Sequence, residues 1–324
     1  MAEKIILDVD TGSDDAVAIM TAILSPKIDL QAVCTVAGNK DIEKTTENTL
    51  RVIQLMGVDV PVYRGCGAPL VKFLREDRVP IHMAKLTLEV DGEEIQMHAD
   101  YLDLPEAQID VQDLPAPVFY LNYLRNAPEP VTLVAVGPLT NLAVAFMLDP
   151  GIIEKVKQIV IMGGGHRVTN ASSTAEFNIW YDPEAAQRVL TSGAKLTFVP
   201  LDATHAACIS KSDCQKLREI GTAASVFAAQ LIEQRIVMHN AFQPLDVPDS
   251  AAVHDALAVC FLIDESVLKE VRSVHCEIGF RDLSEGQTVI DQRYYTQEKN
   301  CSFAFDGNRS RFVDLLIETF ANSQ

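Results

Sequence analysis

The stretch KIILDVDTGSDDAVAI, residues 4–19, decides how this chain is read. An apolar run ends at Asp8 and Asp10, and an apolar helical pattern begins beyond Asp14 and Asp15. The order is strand, turn, helix, with four carboxylates inside eight residues. Acids crowded at the end of a strand repel one another unless a positive charge sits among them. The simplest such charge is a hard divalent cation, which prefers oxygen ligands. Ser13, Asp14 and Asp15 would also suit a helix start, where acids are favoured. That explanation covers one acid and not four.

Outward from this stretch the same alternation repeats. LQAVCTVAG at 30–38 reads as a strand and IEKTTENTLRVIQLMG at 42–57 as a helix closed by Gly57. VTLVAVG at 131–137 and PLTNLAVAFML at 138–148 form the next pair. QIVIMGGG at 158–165 is a strand ending in glycines, and KLTFVPLD at 195–202 is another. Between them DPEAAQRVLTSG reads as a helix with Asp182 as cap, Pro183 in its first turn and Gly193 at its end. Such alternation argues for an α/β fold with a mostly parallel sheet, and strands apolar throughout suit a sheet covered on both faces. Ligands of such sheets bind at the carboxyl ends of strands. Asp8 and Asp10, Gly38-Asn39, Val136-Gly137, Met162-Gly163 and Asp202 all fall there.

Residues 68–116 break the pattern with charges, prolines and weak periodicity, and read as a long excursion or lid with partial helix. The stretch 222–253 reads as a helix followed by the loop QPLDVPDSAA. With no linker, one domain over 1–324 is expected.

The bulk numbers limit the function classes. The chain has 324 residues, is 48% hydrophobic and carries a formal net charge of −18. Nucleic acid and anionic membranes need basic surface, so neither is an expected partner. No apolar run is long enough to span a bilayer, and the N-terminus lacks a secretory h-region. The seven cysteines are scattered and form no Cys-x-x-Cys, which suits free thiols in a reducing compartment, the cytoplasm.

Two metal-linked or phosphoryl-linked alternatives fail by position. An EF-hand loop starting at Asp8 needs Gly at its sixth place and Glu at its twelfth, where Ser13 and Ile19 stand. A haloacid dehalogenase-type phosphatase shares the Asp-x-Asp, but has Thr or Val where Gly12 stands and lacks the Asp14-Asp15 pair. Three further constellations carry chemistry. In TAEFNIWYDPEAA, Glu176 and Asn178 are two apart, so an extended segment turns both to one face, where they can grip neighbouring hydroxyls. A polar loop before a helix would look the same. His254-Asp255 precedes the helical run LAVCFLI; it is either a helix start or a proton donor beside a metal ligand. Gly38-Asn39 is a turn or a second polar contact at the same sheet edge.

Taken in order, DVDTGSDDAVAI at 8–19, AGN at 37–39, VGPLTNLAVA at 136–145, IMGGG at 161–165, NASSTAEFNIWYDPEAA at 170–186 and VHDALAV at 253–259 resemble the inosine-uridine-preferring nucleoside hydrolases. The resemblance implies an open, Rossmann-like sheet with helices on both faces. It implies cleavage of ribonucleosides to ribose and base with one Ca²⁺, in homodimers or homotetramers. Carried over, Asp10, Asp15 and Asp255 resemble the side-chain calcium ligands, and Val136 falls where a backbone carbonyl is the ligand. Asp10 would be the general base. Asp14, Asn39, Met162, Asn170, Glu176 and Asn178 match the ribose-gripping positions. His254 matches the histidine that protonates the leaving base, and Asp8 the position of a supporting group. In place of the family's short HGxxGL-like loop, this chain has the extended 68–116 segment, where His98 and His82 compete for that role. Arg235 and His239 are further base-side candidates, for which an exposed helical face is the simpler reading. The other readings are a ribosyl hydrolase for a modified nucleoside and a nucleoside-binding protein without turnover. A phosphorylase is disfavoured, since no Gly-rich phosphate cradle is evident.

Overall fold

The computed structural model describes residues 2–74, 78, 87–90, 93–293 and 298–322. Its strands are β1 (Glu3–Val9), β2 (Ile28–Thr35), β3 (Val62–Arg64), β4 (Thr87–Val90), β5 (Glu93–Gln96), β6 (Val131–Ala135), β7 (Val156–Met162), β8 (Leu196–Val199), β9 (Ile209–Ser210), β10 (Ser250–Ala251), β11 (Leu268–Ile278), β12 (Thr288–Asp291) and β13 (Cys301–Gly307). Nine of them form one sheet in the order β12-β11-β13-β8-β7-β6-β1-β2-β3. From β3 to β13 neighbours are parallel, and β11 runs against both β13 and β12. The α/β, mostly parallel expectation therefore holds.

Side chains alternate between two cores, one on each face of the sheet. Ile5, Leu7 and Val9 enter one, with the helices Ser13–Leu24, Ala223–Phe242 and His254–Ile263. Ile6, Leu133 and Ile159 enter the other, with the helices Ala116–Asn126, Thr140–Leu148 and Pro183–Leu190. From β1 the chain builds outward through β2 to β3, then returns to add β6 on the other side of β1. The order reverses between β1 and β6, and such a switch point opens a crevice at the strand ends. Asp10 follows β1 there and Val136 follows β6.

Local signals behave as physics asks. Asp41 caps Ile42–Met56 by accepting from Lys44 N at 3.1 Å, and Gly57 ends it at φ 64°. Asp182 caps Pro183–Leu190 through Ala185 N at 3.1 Å. That helix stops at Leu190, with Thr191 as its cap, so Gly193 lies beyond its end. Asp202 sits inside a short helix, Leu201–Ala206, and takes the amides of His166 and Arg167.

The sequence predicts a long excursion with partial helix over the 68–116 segment. Its described residues hold a three-residue 3₁₀ turn, Lys72–Leu74, and the antiparallel hairpin β4–β5, and no longer helix starts before Ala116. Side chains of the Ile42–Met56 helix satisfy its backbone instead: Asn48 Oδ1 accepts from Leu102 N at 2.9 Å, and Arg51 Nη1 donates to the carbonyls of Leu102 and Leu104 at 3.1 and 3.0 Å. All seven cysteines are free, and no helix among the described residues is long and apolar enough to cross a membrane.

Candidate active site

A cavity of about 960 Å³ opens at the switch point. Asp10, Asp14, Asn39, Val136, Met162, Asn170, Glu176, Asn178, His254 and Asp255 all line it, and Asp15 is fully buried behind that lining. Residues spread over 246 positions of sequence thus meet, because each follows a strand or opens a helix at the same sheet edge.

The turn after β1 is organised by Asp15. Its Oδ1 accepts from Asp10 N at 3.1 Å and its Oδ2 from Gly12 N at 2.9 Å, tying the turn to the first turn of Ser13–Leu24. Asn39 N donates to Asp10 Oδ2 at 2.7 Å, and Asn39 Nδ2 reaches Asp10 O and Asp15 Oδ2, each at 3.3 Å. Two glycines keep room for Asp10. A Cβ on Gly38 would lie 2.2 Å from Asp10 Oδ2, and one on Gly137 2.8 Å from Oδ1.

Asp14, Asp15 and Asp255 bring carboxylate oxygens within 4.8 Å of one another. Asp10 stands beside this trio, its Oδ2 turned to Asn39. Burial, then the other carboxylates, pushes Asp10 and Asp255 well above the ordinary range, and the same causes raise Asp15 to about 6. Arg235 Nη1 donates to Asp14 Oδ1 at 2.8 Å and to Ser13 Oγ at 2.9 Å. Of Asp10, Asp14, Asp15 and Asp255, Asp14 alone has a cation partner among the described residues.

Asp8 points away from this group. Its Oδ2 accepts from Tyr120 Oη at 2.9 Å and Asn141 Nδ2 at 3.0 Å, and burial raises it to about 7. Its carbonyl holds Val136 N at 2.9 Å, which fixes where the Val136 carbonyl lies. Asn178 Nδ2 donates to that carbonyl at 2.7 Å and to the Met162 carbonyl at 3.1 Å. Glu176 receives backbone amides from Gly164, Asn178 and Ile179, while burial, the larger effect, raises it to about 7. Asn170 Oδ1 accepts from Phe177 N at 2.9 Å.

The base-side candidates need two corrections. Arg235 and His239 do not lie on an exposed face: they are 3% and 2% exposed and line the cavity. The Ala223–Phe242 helix packs against Ser13–Leu24, which puts Arg235 on Asp14. His98 also lines the cavity, its ring seated on Gly12, where a Cβ would lie 2.0 Å from His98 Nδ1. His82 lies outside the described residues.

Sequence reading missed Thr204 and His205. Thr204 Oγ1 lies 2.7 Å from His254 Nδ1, and the rings of His205, His239 and His254 stand 5.7 to 6.2 Å apart. Burial lowers His98, His205 and His239 to about 4 and His254 well below its ordinary value, with Arg235 adding to each shift. The only sequence signal was their place after β8, at the same sheet edge.

Comparison with known proteins identifies the family. The family model described as inosine-uridine preferring nucleoside hydrolase matches residues 5–314. The chain is 35% identical to a pyrimidine-specific ribonucleoside hydrolase, RihA, of Photobacterium profundum, over 99% of this chain and 100% of that one. It is 37% identical to the inosine-uridine preferring nucleoside hydrolase of Leishmania major, over 93% and 91%. Among solved structures it is similar to a plant nucleoside hydrolase, PpNRh1, with TM-score 0.85, 27% identity and 99% of both chains covered. A purine-preferring ribonucleoside hydrolase from Gardnerella vaginalis gives TM-score 0.85 at 25% identity, with the same coverage. The chain belongs to the inosine-uridine preferring nucleoside hydrolases, a family of metal-dependent N-glycosidases.

Proposed function

We propose that this chain hydrolyses the N-glycosidic bond of ribonucleosides to ribose and free base with one bound Ca²⁺. The observation that carries the reading is the set of buried, uncompensated carboxylates at the floor of a cavity of ligand size. The donors are all oxygen, which fits a hard cation and excludes a site built for soft metals. Asp10, Asp15, Asp255 and the carbonyl of Val136 would hold the ion. Asp14 is close enough to join them, but Arg235 already answers its charge. When bound, the cation supplies the positive charge that offsets the acids and makes water more acidic.

The chain's own groups do the rest. Asp10 accepts the proton of the attacking water. Asp14, Asn39, Met162, Asn170, Glu176 and Asn178 grip the ribose, and the carboxylates stabilise an oxocarbenium-like transition state. A ribose lacking its 2′-hydroxyl would leave buried polar groups unpaired, so deoxyribosides are poor substrates. His254 acts as a neutral donor. Thr204 Oγ1 lies 2.7 Å from Nδ1 and holds the ring at the cavity wall, from which it gives a proton to the departing base. The His254 position at a helix N-terminus disfavours an imidazolium. The same reading includes a cytoplasmic homodimer or homotetramer, which sedimentation equilibrium measures.

Asp10→Asn tests the assignment. We expect turnover to fall by about 10³-fold or more, with calcium and nucleoside binding still measurable. Turnover within a few-fold of the parent overturns Asp10 as the base. A parent protein that binds nucleosides and releases no ribose would be a binding protein.

A further inference from the structure

The stretch APLVKFL, residues 68–74, sets one charge inside an apolar run. Lys72 opens the 3₁₀ turn Lys72–Leu74 and is 1% exposed, the one buried lysine among the described residues. An ammonium withdrawn from water is stable only where its charge and its donors are answered. Lys72 Nζ donates to the Trp180 carbonyl at 2.6 Å and pairs with Glu285 Oε1 at 3.0 Å. It also stands 3.3 Å from the centre of the Trp180 ring, over the indole face. Arg78 closes the cluster, pairing with Glu184 and, at 3.5 Å, with Glu285.

Trp180 belongs to the helix Phe177–Tyr181, which Glu176 caps and which carries Asn178. Five residues are too few for a helix to hold itself, and its last carbonyls lack partners inside it. A cation at that end supplies one. Neighbouring contacts fasten the same place. Phe73 meets Tyr181 edge-on with ring centres 5.5 Å apart, and Leu70 N donates to Asp182 Oδ2 at 2.9 Å. On the other side Gly286, at φ 78°, lies against Trp180, where a Cβ would come 2.4 Å from Trp180 Cα. Lys72 thus ties the start of the 68–116 segment and the turn before β12 to one carbonyl, two residues beyond Asn178.

We propose that Lys72 is a positioning residue for ribose binding: its ammonium fixes the helix Phe177–Tyr181, and with it the Glu176 and Asn178 groups that grip the sugar. The inference rests on the hydrolase reading above and deepens it at the same site. Asn178 Nδ2 is spent on the carbonyls of Val136 and Met162, at 2.7 and 3.1 Å. Its Oδ1 is therefore the atom left to accept from a ribose hydroxyl. That atom moves with the helix, and a displacement of about 1 Å at such a contact costs about 100-fold in rate.

The test is kcat/KM for uracil release from uridine and from 2′-, 3′- and 5′-deoxyuridine, in the parent, Lys72→Met and Lys72→Arg, with calcium saturating. A hydroxyl that is already missing costs nothing more when its partner moves, so the two changes are non-additive. We expect Lys72→Met to lose about 30- to 100-fold on uridine, and at least about tenfold less on one or more of the deoxyuridines. Lys72→Arg should restore part of the uridine rate, since it keeps the charge over the indole. Trp180 is the only tryptophan, so its emission reads the contact itself. It should shift in Lys72→Met and stay near the parent's in Lys72→Arg. If Lys72→Met does not fold, Glu285→Gln, which leaves the ammonium in place and loosens its hold, should show the same pattern at smaller size. Equal losses on all four substrates would mean that Lys72 only supports the fold, which overturns the proposal. Unchanged emission in Lys72→Met overturns it as well. If the parent splits uridine and the variants keep its hydroxyl discrimination, only the Lys72 claim falls. If the parent releases uracil from none of the four, the hydrolase reading falls and takes this claim with it.

Discussion

Arg235→Met removes the one guanidinium that, among the described residues, pairs with the acidic floor. Arg235 donates to Asp14 Oδ1, Ser13 Oγ and the Ala252 carbonyl, at 2.8, 2.9 and 3.0 Å. The two charged side chains are 3% and 5% exposed, so solvent screens the pair little. Removing one partner of such a pair strands a buried charge, at a cost of about 3–5 kcal/mol. Here the stranded carboxylate also faces Asp15 and Asp255 within 4.8 Å, which puts the expectation at the upper end. Calcium should reverse part of the loss. A more negative floor binds a dication more tightly, and the two charges repel by roughly 1 kcal/mol or more while Arg235 is present. Urea unfolding of parent and variant, in EGTA and in calcium, measures both effects, provided the slope m is unchanged. A loss below about 1 kcal/mol in EGTA, or an identical loss with and without calcium, would refute this reasoning.

Asp255→Asn should raise the stability of the cation-free protein, because it removes a carboxylate that burial and its neighbours disfavour, while weakening calcium binding about 100-fold or more; a chelator-competition titration reads the second effect. Gly38→Ala places a methyl 2.2 Å from Asp10 Oδ2, so Asp10 must move; we expect turnover to fall about 100-fold with far-UV circular dichroism unchanged, and full activity would show that Asp10 does not need this position. The pH dependence follows His205, a base lowered from 6.5 to about 4 mainly by burial, with Arg235 lowering and Asp202 and Asp246 raising it. A base with a lowered folded pKa contributes stability that is complete above about 6.5 and lost as pH falls towards about 4. His205→Leu should therefore gain about 2 kcal/mol relative to the parent between pH 7 and pH 5. The difference between the two proteins isolates this effect from Asp8 and Glu176, which are raised and act in the opposite direction; a constant difference would contradict it.

The acidic turn and the parallel strands were legible because their signals are local. The carboxylates of residues 8–15 lie within one turn, and β1, β6 and β7 are apolar runs buried on both faces. Arg235 was not legible, since its partner Asp14 is 221 residues away and its helix is buried on several sides, with no polar stripe to mark an exposed face. Thr204 and His205 sit in a six-residue helix too short to show a period. The antiparallel edge went unread because β11 has a long exposed middle, Lys269 to Ser273, instead of an apolar run. The 68–116 segment lacks periodicity for a related reason. Its described residues 96–104 are held by hydrogen bonds from Lys40, Lys44, Asn48 and Arg51, and Leu102 and Leu104 reach the core from irregular backbone that sets no period.

Ribose release from uridine, inosine and 2′-deoxyuridine, in phosphate-free buffer, with calcium and again after EGTA treatment, tests the calcium-dependent ribohydrolase most directly. We expect release from uridine and inosine with calcium, loss of that release after chelation and its return on calcium addition, with 2′-deoxyuridine spared throughout. Equal release in metal-free protein, or equal release from the deoxyriboside, would contradict it.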